Sequence, residues 1–160
     1  MQNVASDVKS ASAPGLLDSA TALTAMLAAR AAATEALRRL PDETVADIKA
    51  AGLHRLGQPS RFGGAEMPLD GIVDVITALA RGCAATAWVC GVWTDHAIIV
   101  GMFDPAAADD VWGGNENATI SAGLFPSGTN ERVAGGWRLS GSWGFASGCD
   151  HADWIIPGSL

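Results

Sequence analysis

The sequence contains no tyrosine, although it carries six tryptophans and four phenylalanines in 160 residues. Charged residues are scarce at 17% and the balance is acidic, with 10 Lys and Arg against 17 Asp and Glu, a formal net charge of -7 and a pI near 4.7. The basic face of a nucleic-acid binder is therefore missing. There are three cysteines, Cys83, Cys90 and Cys149, and no CxxC pair. That excludes a disulfide framework and a structural zinc site, and favours reduced thiols and a cytoplasmic location. The opening MQNVASDVKSASAPG lacks a basic segment followed by an apolar run, so no signal peptide is expected. Without one, the Asn117-Ala118-Thr119 sequon reads as accidental. The most apolar stretch, Cys83 to Phe103, is interrupted by Asp95 and His96. A membrane span needs roughly 20 apolar residues with few charges, so this stretch reads as a buried helix. No P-loop, G-x-G-x-x-G, HExxH or EF-hand loop is present, which excludes nucleotide cradling and metal chemistry by those routes.

What is present is a core. Apolar residues make up 49% of the chain, enough to fold and too many for overall disorder. Residues 1–14 read as a flexible arm of small and polar residues. Leu16, Ala20, Leu23 and Leu27 recur at helical spacing, and the Ala-rich continuation to Leu40 has high helix propensity. Pro41 stops that helix and starts the next, with Asp42 and Glu43 in its first turn, Val45 and Ile48 inward, and Gly52 at its end. Residues 54–67 hold glycine and proline in loop quantities. Asp70 is expected to cap a third helix with an apolar stripe of Ile72, Val73, Ile76, Leu79 and Ala80. A fourth helix, about 84–102, is apolar nearly all round and is expected to be buried. Asp104-Pro105 opens a short fifth helix ending near Trp112. Beyond Gly114 the texture changes to short runs bounded by glycine, with Gly135-Gly136 expected as a hairpin turn. The expected class is α+β, a helical domain over 15–114 followed over 115–160 by the start of an antiparallel β-barrel. A sheet ending at WIIPGSL has open edges and half a core.

The segment Trp143-Gly144-Phe145-Ala146-Ser147-Gly148 carries the most chemistry. Residues two apart on a strand share a face, so Trp143, Phe145 and Ser147 are expected to point the same way. Two aromatics and a hydroxyl suit a planar heterocycle that needs one hydrogen bond, and equally suit a barrel core. Ser147, His151 and Asp153 invite comparison with a hydrolytic triad. The segment is not a nucleophile elbow, however, and these residues lie too close along the chain to converge. His96 is either a satisfied core histidine or a donor at the mouth of a pocket. Ser121, on the first strand, is equally open.

The order of segments is more telling than any one of them: RRLPDETVADIKAAGLHRL, PSRFGGAEMPL, ALARGCAATAWVCGVWTDHAIIVGMF, TISAGLFPSG and VAGGWRLSGSWGFASGCDHADWIIPG. Over about residues 30–160 this resembles the acyl-CoA dehydrogenase-like flavoproteins, and more closely the oxygenase components of reduced-flavin-dependent two-component monooxygenases. The resemblance implies a helical domain, a central β domain and a C-terminal helical bundle, usually in a homotetramer. It implies reduced flavin (FMNH2 or FADH2) between the β domain and that bundle. Trp143, Phe145, Ser147 and Gly148 then fall on the flavin side, and His96 and Ser121 near an aromatic substrate. The implied activity is hydroxylation of a phenol-like molecule with O2, using reduced flavin from a separate reductase in a dry pocket. TISAGLFPSG replaces the acidic loop of the dehydrogenase branch, which disfavours desaturation. The family's C-terminal catalytic residue is not expected within 160 residues, so the isolated chain is expected to bind flavin weakly and not to turn over. An acyl-CoA dehydrogenase and a non-catalytic helical interaction module are the alternative readings.

Overall fold

A computed structural model describes residues 13–160. The arm expected over 1–14 lies outside the described residues, except for its last two, which begin the first helix. Five helices precede a three-stranded sheet. The helices are α1 (Ala13–Leu37), α2 (Asp42–Ala50), α3 (Leu69–Gly82), α4 (Ala84–Gly101) and α5 (Pro105–Trp112).

Leu16, Ala20 and Leu27 of α1 are buried, as their spacing predicts, and pack with α3. Gly82 marks the close approach, since a Cβ there would lie 2.5 Å from the Thr24 carbonyl. Pro41 precedes α2, which carries Asp42 and Glu43 in its first turn and Lys49 in its last, the arrangement its dipole favours. The helix closes in a Schellman motif. Gly52 adopts φ +72°, its N–H donates to Lys49 O, and the Leu53 N–H donates to Ile48 O at 3.1 Å. Arg30 ties α1 to α2 through Asp47 at 2.7 Å and Glu43 at 3.4 Å.

The loop 54–67 is irregular, as expected, but it is also built into the core. Leu56 and Gln58 are buried, and Gln58 Nε2 donates to Phe62 O and Glu116 O. Two expectations for α3 fail. The helix starts two residues earlier, after Pro68, so Asp70 sits in its first turn and does not cap it. Its buried stripe is Ile72, Val75, Ala78 and Leu79, while Val73 and Ala80 face outward. The face that meets α1 and α4 is rotated from the one expected, and small Ala78 fits the close crossing.

Helix α4 runs between two clusters of buried side chains. Cys90 and Trp93 join the cluster built on α1, α2 and α3. Ala97 and Val100 join the one built with α5 and Ile120. The helix is not covered all round: Trp88 is 65% exposed. Asp104 caps α5, accepting from the Ala106 N–H at 2.9 Å, with Pro105 at the first helical position. No helix among the described residues is long and apolar enough to cross a membrane.

The strands are β1 (Ile120–Val133), β2 (Gly136–Ser140) and β3 (Trp154–Ser159), in the order β2-β1-β3. The expected start of an antiparallel barrel is a mixed sheet. β1 pairs antiparallel with β2 and parallel with β3, because the chain crosses back over the helices between Ser140 and Trp154. Val133 pairs with Gly136, so the hairpin turn is Ala134-Gly135, one residue earlier than expected, with Gly135 at φ +83°. In β1 the first four residues and Gly128 are buried. Beyond Gly123 most large apolar side chains of the sheet, including Leu124, Phe125 and Trp137, are exposed, while Ile156 packs against the second cluster.

Candidate functional site

A cavity of about 690 Å³ opens between the C-terminal end of α1, the first turns of α4 and the segment 145–151. The segment gets there because the strand pattern breaks. β2 ends at Ser140, and no ladder includes residues 141–146. Phe145 then adopts φ +58° and Gly148 φ +78°. Left-handed backbone at both positions destroys the alternation on which the expected common face depended. Phe145, Ser147 and Gly148 line the cavity, and the Phe145 ring is fully exposed. Trp143 does not join them. Its ring packs over Gly123, Gly128 and Gly141, and its indole N–H donates to Gly158 O, covering the irregularity between β1 and β3.

Ser147 is held on two sides. Its Oγ accepts from Trp88 Nε1 at 3.1 Å, and its carbonyl accepts from Ser121 Oγ at 3.1 Å. A hydroxyl that accepts from Trp88 keeps its own hydrogen to donate into the cavity. Ser121 is fully buried, so it positions Ser147 from behind. His96 is also buried, and its Nδ1 lies 3.0 Å from Ile120 O. A carbonyl can only accept, so Nδ1 carries the proton, and this bond fixes the start of β1 against α4. His96 and Ser121 therefore stand behind the cavity wall; Phe145, Ser147 and Gly148 form part of its lining.

The remaining polar groups of the segment serve the same placement. Thr119 N–H donates to Asp153 Oδ2 at 2.8 Å, and Thr119 Oγ1 donates to His151 O at 2.8 Å. His151 Nε2 donates to Leu40 O at 2.9 Å, tying the segment to the α1–α2 junction. Asp153 thus bonds Thr119, His151 bonds a carbonyl, and Ser147 bonds Trp88, so no hydrolytic triad forms. No cluster of metal-ligating side chains occurs among the described residues.

Trp88 is the largest omission of the sequence reading. It is one of two tryptophans on an apolar helix, and in the sequence both read as core. Arg38, Arg39 and His151 also reach the cavity, with Glu35 and Asp150 among the acids. Beneath the segment, a Cβ on Gly148 would lie 2.7 Å from Trp93 Nε1 and 3.0 Å from Val89 Cγ1. Gly148→Ala therefore combines a left-handed φ with a clash against a buried, immobile indole. It is expected to cost about 2 kcal/mol and to displace Ser147. Thermal unfolding measures the first effect, and the chemical shift of the Trp88 indole proton measures the second.

No protein-family model matches the sequence. Individual proteins do. The chain is 41% identical over 132 residues to the oxygenase component of p-hydroxyphenylacetate 3-hydroxylase from Acinetobacter baumannii, covering 82% of this chain and 31% of that protein. The crystal structure of the HsaA monooxygenase from M. tuberculosis superposes with a TM-score of 0.88 at 36% identity, covering 92% of this chain and 40% of the other. By sequence and by fold, the chain is similar to part of the oxygenase components of flavin-dependent monooxygenases. XiaF from Streptomyces sp., solved in complex with FADH2 and glycerol, superposes with a TM-score of 0.86 at 31% identity over 91% of this chain and 37% of its own. The chain spans about a third of the length of the curated relatives it matches.

The cavity can be tested as a place for the flavin that such relatives imply. It has an uncovered aromatic face at Phe145 and a hydroxyl donor at Ser147. Its volume lies within the roughly 300–1,000 Å³ of small-molecule sites. These residues fit one side of a flat heterocycle with hydrogen-bond acceptors on its edge.

Proposed function

We propose that this chain carries the helical domain and part of the β domain of an oxygenase component that hydroxylates a phenolic substrate with O2. The cofactor would be reduced flavin, FMNH2 or FADH2, supplied by a separate reductase, and the working form a homo-oligomer. The observation that carries this reading is Ser147, its hydroxyl bonded by Trp88 and its carbonyl by Ser121, beside an exposed Phe145 ring.

The flavin, when bound, supplies the activation of O2. The protein's own residues do the placing. Phe145 offers a stacking face, and the Ser147 hydroxyl donates to the edge of the ring. The Gly148 backbone, pressed onto Trp93, keeps that hydroxyl at fixed depth. His96, with Nδ1 on the Ile120 carbonyl, holds the start of β1 from behind the cavity wall. The domain limits 15–114 and 115–160 belong to the same reading.

Because Phe145 and most of the sheet are uncovered, the isolated chain is expected to bind flavin weakly. Anaerobic titration of reduced FAD and reduced FMN, followed by 1H–15N spectra, should shift the Trp88 indole and the Ser147 and Gly148 amides without reaching stoichiometric saturation. Tight one-to-one binding would contradict the half-open site, and shifts confined to other surfaces would remove the cavity from the account.

A further inference from the structure

We propose that Arg38 is an anion-binding residue of this cavity, taking the phosphate or carboxylate of a planar ligand that lies against Phe145. The inference rests on the reading that the cavity holds a flavin or an aromatic substrate, and adds a recognition element to it.

Three non-glycine residues of the described chain have positive φ: Arg38 at 56°, Glu66 at 45° and Phe145 at 58°. Two of the three, Arg38 and Phe145, line this one cavity from different elements. Left-handed backbone is unfavourable for any residue with a Cβ, and it persists where surrounding structure imposes it, often around ligands. Arg38 occupies the position after α1 where glycine is the usual choice, with its N–H on Glu35 O at 3.1 Å. The stop itself is already secured three residues later by Pro41, so the helix end does not require an arginine.

The guanidinium is also uncommitted. Its neighbour Arg39 is held by Asp42 at 3.2 Å, whereas Arg38 makes no ion pair among the described residues. Glu35 and Asp150 line the same cavity, so it is not a general trap for anions, and an incoming anion is directed to the Arg38 end. A guanidinium presents paired donors that match the coplanar oxygens of a carboxylate or two oxygens of a phosphate.

The test uses the 160-residue chain, its Arg38→Gly and Arg38→Lys variants, and the Trp88 indole shift as the readout of weak binding. Probes are reduced FMN against reduced riboflavin, which lacks the phosphate, and 4-hydroxybenzoate against 4-methylphenol, which lacks the carboxylate. If the anion is the flavin phosphate, Arg38→Gly weakens reduced FMN by about fivefold or more and leaves reduced riboflavin within about twofold. If it is a substrate carboxylate, the same ratio falls on 4-hydroxybenzoate over 4-methylphenol. In either case Arg38→Lys recovers part of the loss. The melting temperature of Arg38→Gly stays equal or rises, because glycine accepts the left-handed backbone freely. A purely structural role predicts that melting change with no change in any affinity, and equal affinities in wild type and Arg38→Gly overturn the proposal while leaving the flavin reading in place. Failure of every probe to perturb Trp88 overturns both.

Discussion

Replacing Trp93 with alanine is expected to cost about 3–5 kcal/mol, a large part of the roughly 5–15 kcal/mol that holds a typical domain together. Trp93 is 1% exposed and the largest fully buried side chain described. It belongs to the helical core cluster and supports Gly148 from below. Alanine would leave a void shared by the core and the cavity wall. Trp93→Phe should be far milder, under about 1.5 kcal/mol. The Trp93 Nε1–H has no hydrogen-bond partner. Removing an unsatisfied buried donor recovers part of what the smaller ring loses. Urea unfolding of the two variants measures both values, and an alanine variant within about 1 kcal/mol of wild type would show that Trp93 does not carry the junction.

Acid should weaken the fold through His54. Burial pushes its pKa down from 6.5 to about 4, and the positive charges of Arg55 and Lys49 act in the same direction. Its Nε2 lies 3.2 Å from Asn117 Oδ1, the contact of a neutral ring donating to an amide oxygen. The unfolded chain binds a proton on this histidine below pH 6.5, and the folded chain does so only near pH 4. Stability therefore falls as pH drops between those values, by about 3 kcal/mol in total from this group. Above pH 6.5 both states are neutral and the contribution is flat. Denaturant melts of wild type and His54→Gln at pH 7, 6, 5 and 4.5 isolate the effect, since the carboxylates titrate alike in both. Parallel stability curves for the two proteins would contradict the assignment.

The helices were legible because their signals are local. Leu16, Ala20 and Leu27 repeat at helical spacing, Pro41 and Gly52 bracket α2, and Asp104-Pro105 opens α5 at the residue expected. The rotated face of α3 was not legible, because Val73 and Val75 are equally apolar and only the position of α1 decides between them. The site was half legible. Ser147, Gly148 and Phe145 line one cavity, Phe145 through backbone that strand parity does not describe. Trp143 was misplaced for the same reason, since alternation holds only while a ladder holds the chain. Trp88 was missed because its partner Ser147 lies 59 residues away. Nothing in the pattern of α4 separates a tryptophan that supports a core from one that faces a cavity.

The central claim is that this chain builds one side of a reduced-flavin hydroxylation site. Grafting residues 15–160 in place of the matching segment of the M. tuberculosis HsaA monooxygenase sets this side of the site within a monooxygenase that it matches. The graft would be supplied with reduced flavin, a phenolic substrate and 18O2. The account predicts an 18O-labelled hydroxylated product and a loss of about tenfold or more in rate on Ser147→Ala, the worth of one hydrogen bond of about 1.4 kcal/mol. A folded, flavin-binding graft that forms no labelled product, or one whose rate is indifferent to Ser147→Ala, would contradict it.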